Sequence, residues 1–351
     1  MNTEINLSND FLNWDEYWAS QYKEKWLKNN DDEAVLLFEQ GMLYSKEEDS
    51  SLYNPNKAAK FLKMASNIGY VPAMYELSFI LFYETDNKEN NQIEAYEYTL
   101  KAVEANYPPA YYMLGKFYEN GIVIESDIEK ACECYLISAE LGDDVSQYAL
   151  GRIYDQIFKQ SKKAEYWYQR SIINGFYHAY FALGDMYYIG RGENVPYFEE
   201  YETINRNYYT AAQLFRKGVS ENISSCYYPL GRCYEYGHGV EEDITMAIML
   251  YRKGVDANDS DACEHLGEHY ADGIEGILEP NVNEAIHLFE KGAELGNERC
   301  MTSLGYLYLE GEGGFVSKYP EIIDKQKGIY WLKKAAELGD ETALTKLEEL
   351  C

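Results

Sequence analysis

The chain has 351 residues, 46% of them hydrophobic and only 8 of them proline, which excludes a disordered linker and favours order nearly throughout. Its 60 acidic and 31 basic residues give a net charge of −29, which excludes nucleic acids and anionic membrane surfaces as favourable partners because both are polyanions. The same charge would attract a basic protein or peptide, although an acidic surface also simply keeps a protein soluble.

The amino-terminal segment predicts a helix that caps the rest of the chain. Phe11, Trp14, Trp18 and Trp26 fall on one helical stripe, so residues 1–33 are predicted as a capping helix, with an aromatic partner groove as the alternative. The first ten residues lack the basic and apolar regions of a secretory signal. No apolar run is long enough to span a bilayer, so we expect a cytoplasmic protein.

From residue 34 onward a short sequence motif recurs, here called the first phrase. It contains Leu-Gly, with a small residue four positions before the Leu and an apolar residue three positions after the Gly. Its clear copies are Leu114-Gly115, Leu150-Gly151, Leu183-Gly184, Leu230-Gly231, Leu266-Gly267 and Leu304-Gly305. Gly41 and Ser78 hold the glycine position in two earlier, weaker copies. Self-similarity of this kind predicts a repeat protein, with one helix A in each copy.

A second phrase follows each first one and predicts a helix B. It places small residues around an aromatic residue or Leu and ends in a Gly or Asn. These terminal residues are Gly69, Asn106, Gly142, Gly175, Asn222, Asn258, Gly296 and Gly339. Small residues let two helix backbones approach closely, and Gly or Asn adopts the left-handed conformation that closes a helix. Each repeat is therefore predicted as helix A, loop, helix B.

Two connections recur along the chain, one from helix B to the next helix A and one from helix A to helix B. The first has a constant length and the second does not. In the first seven repeats the terminal residue of helix B precedes the next glycine position by nine residues, which indicates a fixed structural turn. The A-to-B loop varies, and it is longest in the insert from Glu193 to Asn207. This insert contains Tyr197 and Tyr201 among acidic residues. It is either a tolerated insertion without a function or a docking element for a basic surface.

Two stretches make the chain resemble the Sel-one-like repeat family. Residues 237–243, Gly-His-Gly-Val-Glu-Glu-Asp followed by Ala247, resemble its loop and helix B start, and residues 331–339 resemble its helix B end. The resemblance covers about residues 34–350 and departs from the family at Ser78 and after Gly192. It implies an all-α fold, a right-handed α/α superhelical solenoid of about eight helix-turn-helix repeats over residues 34–340. Residues 341–351 then form a carboxyl-terminal capping helix.

A ladder of aromatic residues stands three positions before the glycine in most copies. Its members are Phe38, Tyr75, Tyr112, Tyr148, Phe181 and Tyr228, and Glu264 and Thr302 interrupt it in the last two copies. These rings either pack between repeats or contact a partner from the concave face. Tyr112, Tyr148, Phe181 and Tyr228 are therefore candidate partner-binding residues.

One pentapeptide, His265-Leu266-Gly267-Glu268-His269, fits the inverted zinc-peptidase pattern H-x-x-E-H. The repeat already explains its Leu and Gly, and a catalytic zinc needs a third protein ligand. We therefore interpret His265, Glu268 and His269 as a surface or groove set that could contact a partner. No catalytic, cofactor-binding or metal-binding residue is predicted.

The resemblance implies a function in protein-protein interaction, without chemistry or a cofactor of its own. We expect a non-catalytic module that binds a protein or peptide, possibly basic, through the concave face and the A–B loops. The alternative is an immunity-type inhibitor that neutralises a basic toxin by direct binding, which the net charge of −29 favours. A monomer, or weak self-association, is expected.

Overall fold

The computed structural model describes residues 32–45, 52–83, 88–190, 204–309 and 322–350. Nearly all of the predicted amino-terminal cap, and Tyr197 and Tyr201 of the long insert, lie outside these residues. The described part of the chain contains 17 α-helices and no β-strand, so the predicted all-α class is confirmed. None of its helices combines the length and apolarity needed to cross a membrane.

The helices alternate between A and B types and fall into two compact units, divided at Ala179 and Tyr180. The described helices of the first unit are α1 Asp32–Ser45, α2 Pro55–Asn67, α3 Val71–Tyr83, α4 Lys88–Glu104, α5 Pro108–Asn120, α6 Ile128–Glu140, α7 Asp144–Gln156 and α8 Ser161–Ile173. Those of the second are α9 Ala179–Ile189, α10 Tyr208–Ser220, α11 Tyr227–Glu235, α12 Ile244–Asp256, α13 Ser260–Asp272, α14 Val282–Glu294, α15 Glu298–Leu309, α16 Lys325–Glu337 and α17 Glu341–Glu349. Helix α17 lies where the carboxyl-terminal cap is predicted.

Local sequence sets both ends of the B helices. Asp127 accepts a hydrogen bond from the Lys130 amide at 3.0 Å, and Asp243 accepts one from the Met246 amide at the same distance. Such side chains satisfy amides that the first helical turn leaves without partners. All eight predicted terminal residues have a positive φ, between 54° and 110°. The helix ends predicted from Gly and Asn are therefore confirmed.

In seven of the eight repeats, the helix A glycine lies directly against a large side chain of helix B. In the second repeat Ser78 takes the position of the glycine, and its hydroxyl lies 2.6 Å from that of Thr99. A methyl group added to Gly231 would lie 2.5 Å from the Tyr251 ring. The other pairs of this kind are Gly41–Leu62, Gly115–Tyr135, Gly151–Tyr168, Gly184–Phe215, Gly267–Phe289 and Gly305–Leu332. Any side chain at the glycine would push the two helices apart, so the glycine sets their separation.

The fixed nine-residue turn brings helix B against the next helix A through small residues. A methyl group on Gly254 would lie 2.7 Å from the Ala262 Cβ. Gly292 has the same close relation to Cys300. These contacts explain why small residues recur in both phrases, and why Cys300 is a buried packing residue.

In the repeats of Gly115 and Gly231 a polar contact accompanies the glycine contact, and we call it the carboxylate lock. Tyr135 donates its hydroxyl to Glu119 at 2.6 Å, and Tyr251 donates to Glu235 at 2.5 Å. Each carboxylate stands four residues after the glycine that the tyrosine ring covers. Where Phe215 or Phe289 covers the glycine, that fourth position holds Tyr188 or Ala271 instead. A carboxylate there would have no hydroxyl to bind.

Each lock has a cationic or imidazole neighbour from the following helix A. Arg152 forms an ion pair with Glu119, and His269 Nε2 lies 3.4 Å from Glu235 Oε1. Burial opposes ionisation of Glu235, but His269 and the Tyr251 hydroxyl together hold its pKa down at about 2. Burial likewise opposes ionisation of Glu119, whose pKa is nevertheless lowered by Tyr135 and Arg152.

Replacing Gly231 by Ala tests the glycine contact, because the contact decides whether this change raises or lowers the free energy of unfolding. In an unobstructed helix this change would stabilise the protein by roughly 0.5–1 kcal/mol. Because the added methyl would meet the Tyr251 ring, we expect destabilisation by about 1–3 kcal/mol in urea unfolding. Thr245→Ala, at an exposed helical position, is the control. Stabilisation of Gly231→Ala would contradict the contact.

Replacing Tyr251 by Phe tests the carboxylate lock. Loss of a hydrogen bond to a mostly buried carboxylate should lower the free energy of unfolding by about 1.5–3 kcal/mol at pH 7. Because the pKa of Glu235 is lowered in the folded state, its stabilisation is complete above pH 4.5 and is lost as the pH falls towards 2. The difference in melting temperature between wild type and Tyr251→Phe should therefore narrow over this range. Tyr209→Phe, at an exposed position, should show no such narrowing.

Candidate partner-binding groove

A groove of about 230 Å³ opens between α9 and α11, with the start of α13 along one edge. The residues used below are Phe181, Asp185, Tyr188, Tyr228, Arg232 and Asp261. Two members of the predicted aromatic ladder, Phe181 and Tyr228, meet here because each stands three residues before the glycine of its helix A. We call this feature the arginine groove.

Arg232 is the cation of the groove and is surrounded by rings. Its guanidinium carbon lies 5.5 Å from the centre of the Tyr188 ring and 5.9 Å from the centres of both Tyr228 and Tyr236. The ring faces attract a cation and offset part of its loss of hydration. The buried Nε of Arg232 has no hydrogen-bond partner within the described residues.

Two histidines fix the rings that flank Arg232. The Tyr188 hydroxyl lies 2.8 Å from His238 Nδ1, and the Tyr228 hydroxyl lies 2.9 Å from His265 Nε2. Burial lowers the pKa of both His238 and His265, so both imidazoles are neutral at pH 7. The groove walls are thus held in position before any partner arrives.

The two imidazoles of the H-x-x-E-H pattern have different polar partners, although both rings lie beside that of Tyr251. His265 bonds Tyr228, His269 lies beside Glu235, and Glu268 is exposed. Throughout the described ranges, no group of three or more His, Cys, Asp or Glu side chains is placed to hold a metal ion. The two imidazoles of the pattern therefore act on two different neighbours, and His265 shapes the wall of the arginine groove.

Acidic residues at the edge of the groove are engaged in local hydrogen bonds. Asp259 accepts bonds from the amides of Asp261 and Ala262, both at 3.0 Å, and so caps α13. The Asp261 carboxylate accepts a bond from Asn297 Nδ2 at 3.2 Å. Burial raises the pKa of Asp259. These carboxylates give the groove mouth a negative rim.

The first unit holds the other two ladder residues that are predicted to contact a partner, Tyr112 and Tyr148. Tyr112 is half-buried, and its ring centre lies 5.8 Å from that of Tyr135. Tyr148 packs against Tyr168 and Phe176, at 5.6 and 5.0 Å between ring centres. Both rings thus have packing partners within their unit, while half-burial leaves part of each surface open. Their contact with a partner stays a prediction, as does that of Tyr197 and Tyr201.

A second, more open hollow of about 720 Å³ lies beside the A–B loop that precedes α12. Arg216, Tyr234, Glu241 and Ile277 are among its lining residues. This hollow lies on the loop side of the second unit, where sequence analysis expects partner contacts. Sequence analysis missed Arg232, Asp185 and the rim acids, since nothing in their local sequence distinguishes them from ordinary surface residues.

Comparison with known proteins places the repeats in a family. The Sel1 repeat matches residues 37–70, 71–107, 108–143, 144–176, 178–222, 224–259, 260–297 and 299–340. A protective antigen of uropathogenic Escherichia coli with an SLR fold is 24% identical, with a TM-score of 0.64, over 97% of this chain and 67% of that one. A Sel1 repeat protein from Oxalobacter formigenes is 20% identical, with a TM-score of 0.62, over 100% and 97%.

Among curated proteins, the chitin synthase regulator SKT5 of Saccharomyces cerevisiae is 26% identical over 203 residues. The match covers 54% of this chain but only 28% of the yeast protein. Both solved structures share the fold, and the matched segments follow one another along most of the chain. The chain therefore belongs to the Sel1 repeat family.

Proposed function

We propose that this chain is a cytoplasmic, non-catalytic module that binds a protein or peptide through its A–B loops and the arginine groove. Sel1 repeat proteins generally mediate protein-protein interaction and are typically non-catalytic scaffolds. The observation that carries the proposal is a groove with fixed aromatic walls, an arginine without a carboxylate partner among the described residues, and an acidic rim. Aromatic and arginine side chains are the usual anchors of protein interfaces.

Net charge supports a basic partner. A chain with a charge of −29 attracts basic proteins over distances of about 8–10 Å at physiological salt and accelerates their encounter. The exposed acids Glu241 and Glu242 beside the second hollow add local charge of the same sign. The negative charge of the chain would thus attract the basic partner, and aromatic contacts would then hold it.

The same charge favours the second candidate function, an immunity-type inhibitor that covers the active surface of a basic toxin. The two functions differ in what binding does to the partner. An inhibitor abolishes the partner's own activity in a one-to-one complex, whereas a scaffold leaves that activity in place or joins several partners. Measuring the captured partner's activity with and without this chain separates them.

Affinity capture tests the proposed function. We expect the tagged chain to retain a stoichiometric protein partner at about 0.15 M salt, and weaker retention at higher salt where charge steers binding. The complex should re-form from purified components, and light scattering should show the free chain as a monomer or weak dimer. Failure to recover a stoichiometric partner at either salt concentration would contradict a binding function.

The ladder residues provide a sharper variant test of the same function. Replacing Tyr112 and Tyr148 by Phe removes two hydroxyls while keeping the rings that pack on Tyr135 and Tyr168. Because the Tyr112 hydroxyl also hydrogen-bonds Tyr83, we expect a stability loss of at most about 0.5–1.5 kcal/mol. Partner affinity should be roughly fivefold weaker, as for loss of about 1 kcal/mol of hydrogen bonding. Exposed Tyr166→Phe is the control. Unchanged affinity would show that these hydroxyls do not contact the partner.

A further inference from the structure

Arg152 and Arg232 occupy the same position of the repeat but have different surroundings. Each follows the helix A glycine directly, in the sequence Leu-Gly-Arg. Arg152 pairs with Glu119, which stands four residues after the glycine of the preceding repeat. For Arg232 the matching residue is Tyr188, four residues after Gly184. An aromatic ring thus replaces the carboxylate that would neutralise Arg232.

Arg232 lines the groove and has an N–H donor without a partner among the described residues. In the part of the chain that the structure describes, Arg232 forms no ion pair, and its buried Nε has no hydrogen-bond partner there. Partly buried cations are normally paired, because separation from water is unfavourable. Ring contacts offset part of this loss but leave the planar N–H donors of the guanidinium available.

The nearby acids do not supply the missing carboxylate. Asp259 is bound to the first amides of α13, and Asp261 is bound to Asn297. Asp185, the third acid of the lining, is likewise engaged in an interaction of its own. They remain at the groove mouth as negative charges, where they would favour basic residues. The groove thus combines a guanidinium at its wall with acids at its rim.

We propose that the arginine groove receives the side-chain carboxylate of an Asp or Glu residue in a partner segment whose neighbouring residues are basic. Arg232 binds the carboxylate through its N–H donors, the aromatic walls cover the side-chain stem, and the rim acids bind the flanking basic residues. This inference rests on the proposed protein-binding function and specifies the segment that the groove recognises.

A side chain fits the groove better than a chain terminus. Terminal carboxylates are commonly held by free backbone amides. Here Asp259 already occupies the amides at the start of α13, and the remaining lining comes from α9, α10, α11 and the turn before α11. A side-chain carboxylate needs only the guanidinium, which the groove supplies.

Two amidated, acetylated peptides that differ at one residue test the proposal, Lys-Lys-Phe-Glu-Phe-Lys-Lys and the same peptide with Gln for Glu. Titration is followed by calorimetry and by the NMR signal of the Arg232 Nε–H group, assigned by its loss in Arg232→Lys. We expect the Glu peptide to shift this signal and to bind roughly tenfold tighter than the Gln peptide, as for one charge-assisted arginine-carboxylate pair.

Variants distinguish recognition of the peptide by the groove from general attraction between opposite charges. Arg232→Lys keeps the charge but loses the planar fork, so the preference for Glu should fall below about twofold. Arg216→Lys, a change at another arginine that contacts a tyrosine, Tyr234, should keep the preference. Tyr188→Glu restores the carboxylate at the repeat position that Glu119 holds. It should pair with Arg232, displace the Nε–H signal without peptide and abolish the preference.

Equal binding of both peptides, an Arg232 signal that does not move at saturating Glu peptide, or Tyr188→Glu retaining the wild-type preference would each overturn the proposal. Thermal unfolding of each variant confirms that it is folded. These outcomes are distinct from failure of the proposed function. If capture yields a partner that re-forms a complex while the peptides show no preference, binding stands and the groove assignment falls.

Discussion

The close approach of a helix A glycine to a helix B ring is the contact on which the other features depend. Because an added methyl at Gly231 would lie 2.5 Å from Tyr251, the two helices sit as near as their backbones allow. At this separation, the side chain three positions before the glycine packs against the ring that covers the glycine. Tyr228 packs against Tyr251 in this way. The separation also brings the residue four positions after the glycine to the ring's hydroxyl, as at Glu235.

Polar chemistry in the repeat follows from which side chain covers the glycine. A tyrosine offers a hydroxyl, so Glu119 and Glu235 can be held at the adjacent position. A phenylalanine offers none, so Tyr188 stands at that position opposite Phe215. The exchange changes the role of the next arginine. Arg152 closes a lock, whereas Arg232 lies among rings and lines a groove.

A binding site in this chain thus arises where one repeat departs from the pattern of its neighbours. The departing repeat keeps the backbone geometry, because Gly184 and Phe215 retain the close contact. It changes only the neighbour of the partly buried Arg232. Histidines from other repeats then form hydrogen bonds with the rings of the groove wall, as His265 does with Tyr228. Because hydrogen bonds hold Tyr188 and Tyr228 in place, less entropy is lost when a partner binds to these walls.

The sequence by itself determined the helices, their ends and the eight-repeat architecture. These depend on spacing within a few residues, so positive φ at Gly142 or Asn258 could be predicted from residue type alone. It also identified Phe181, Tyr228 and His265, which the fold brings to one place. Only the tertiary structure decided what they do there. Arg152 and Arg232 share the local sequence Leu-Gly-Arg, yet their surroundings differ through residues 33 and 44 positions earlier. Local patterns carry no information about such distant neighbours, because the repeat packing, and not chain proximity, makes them meet.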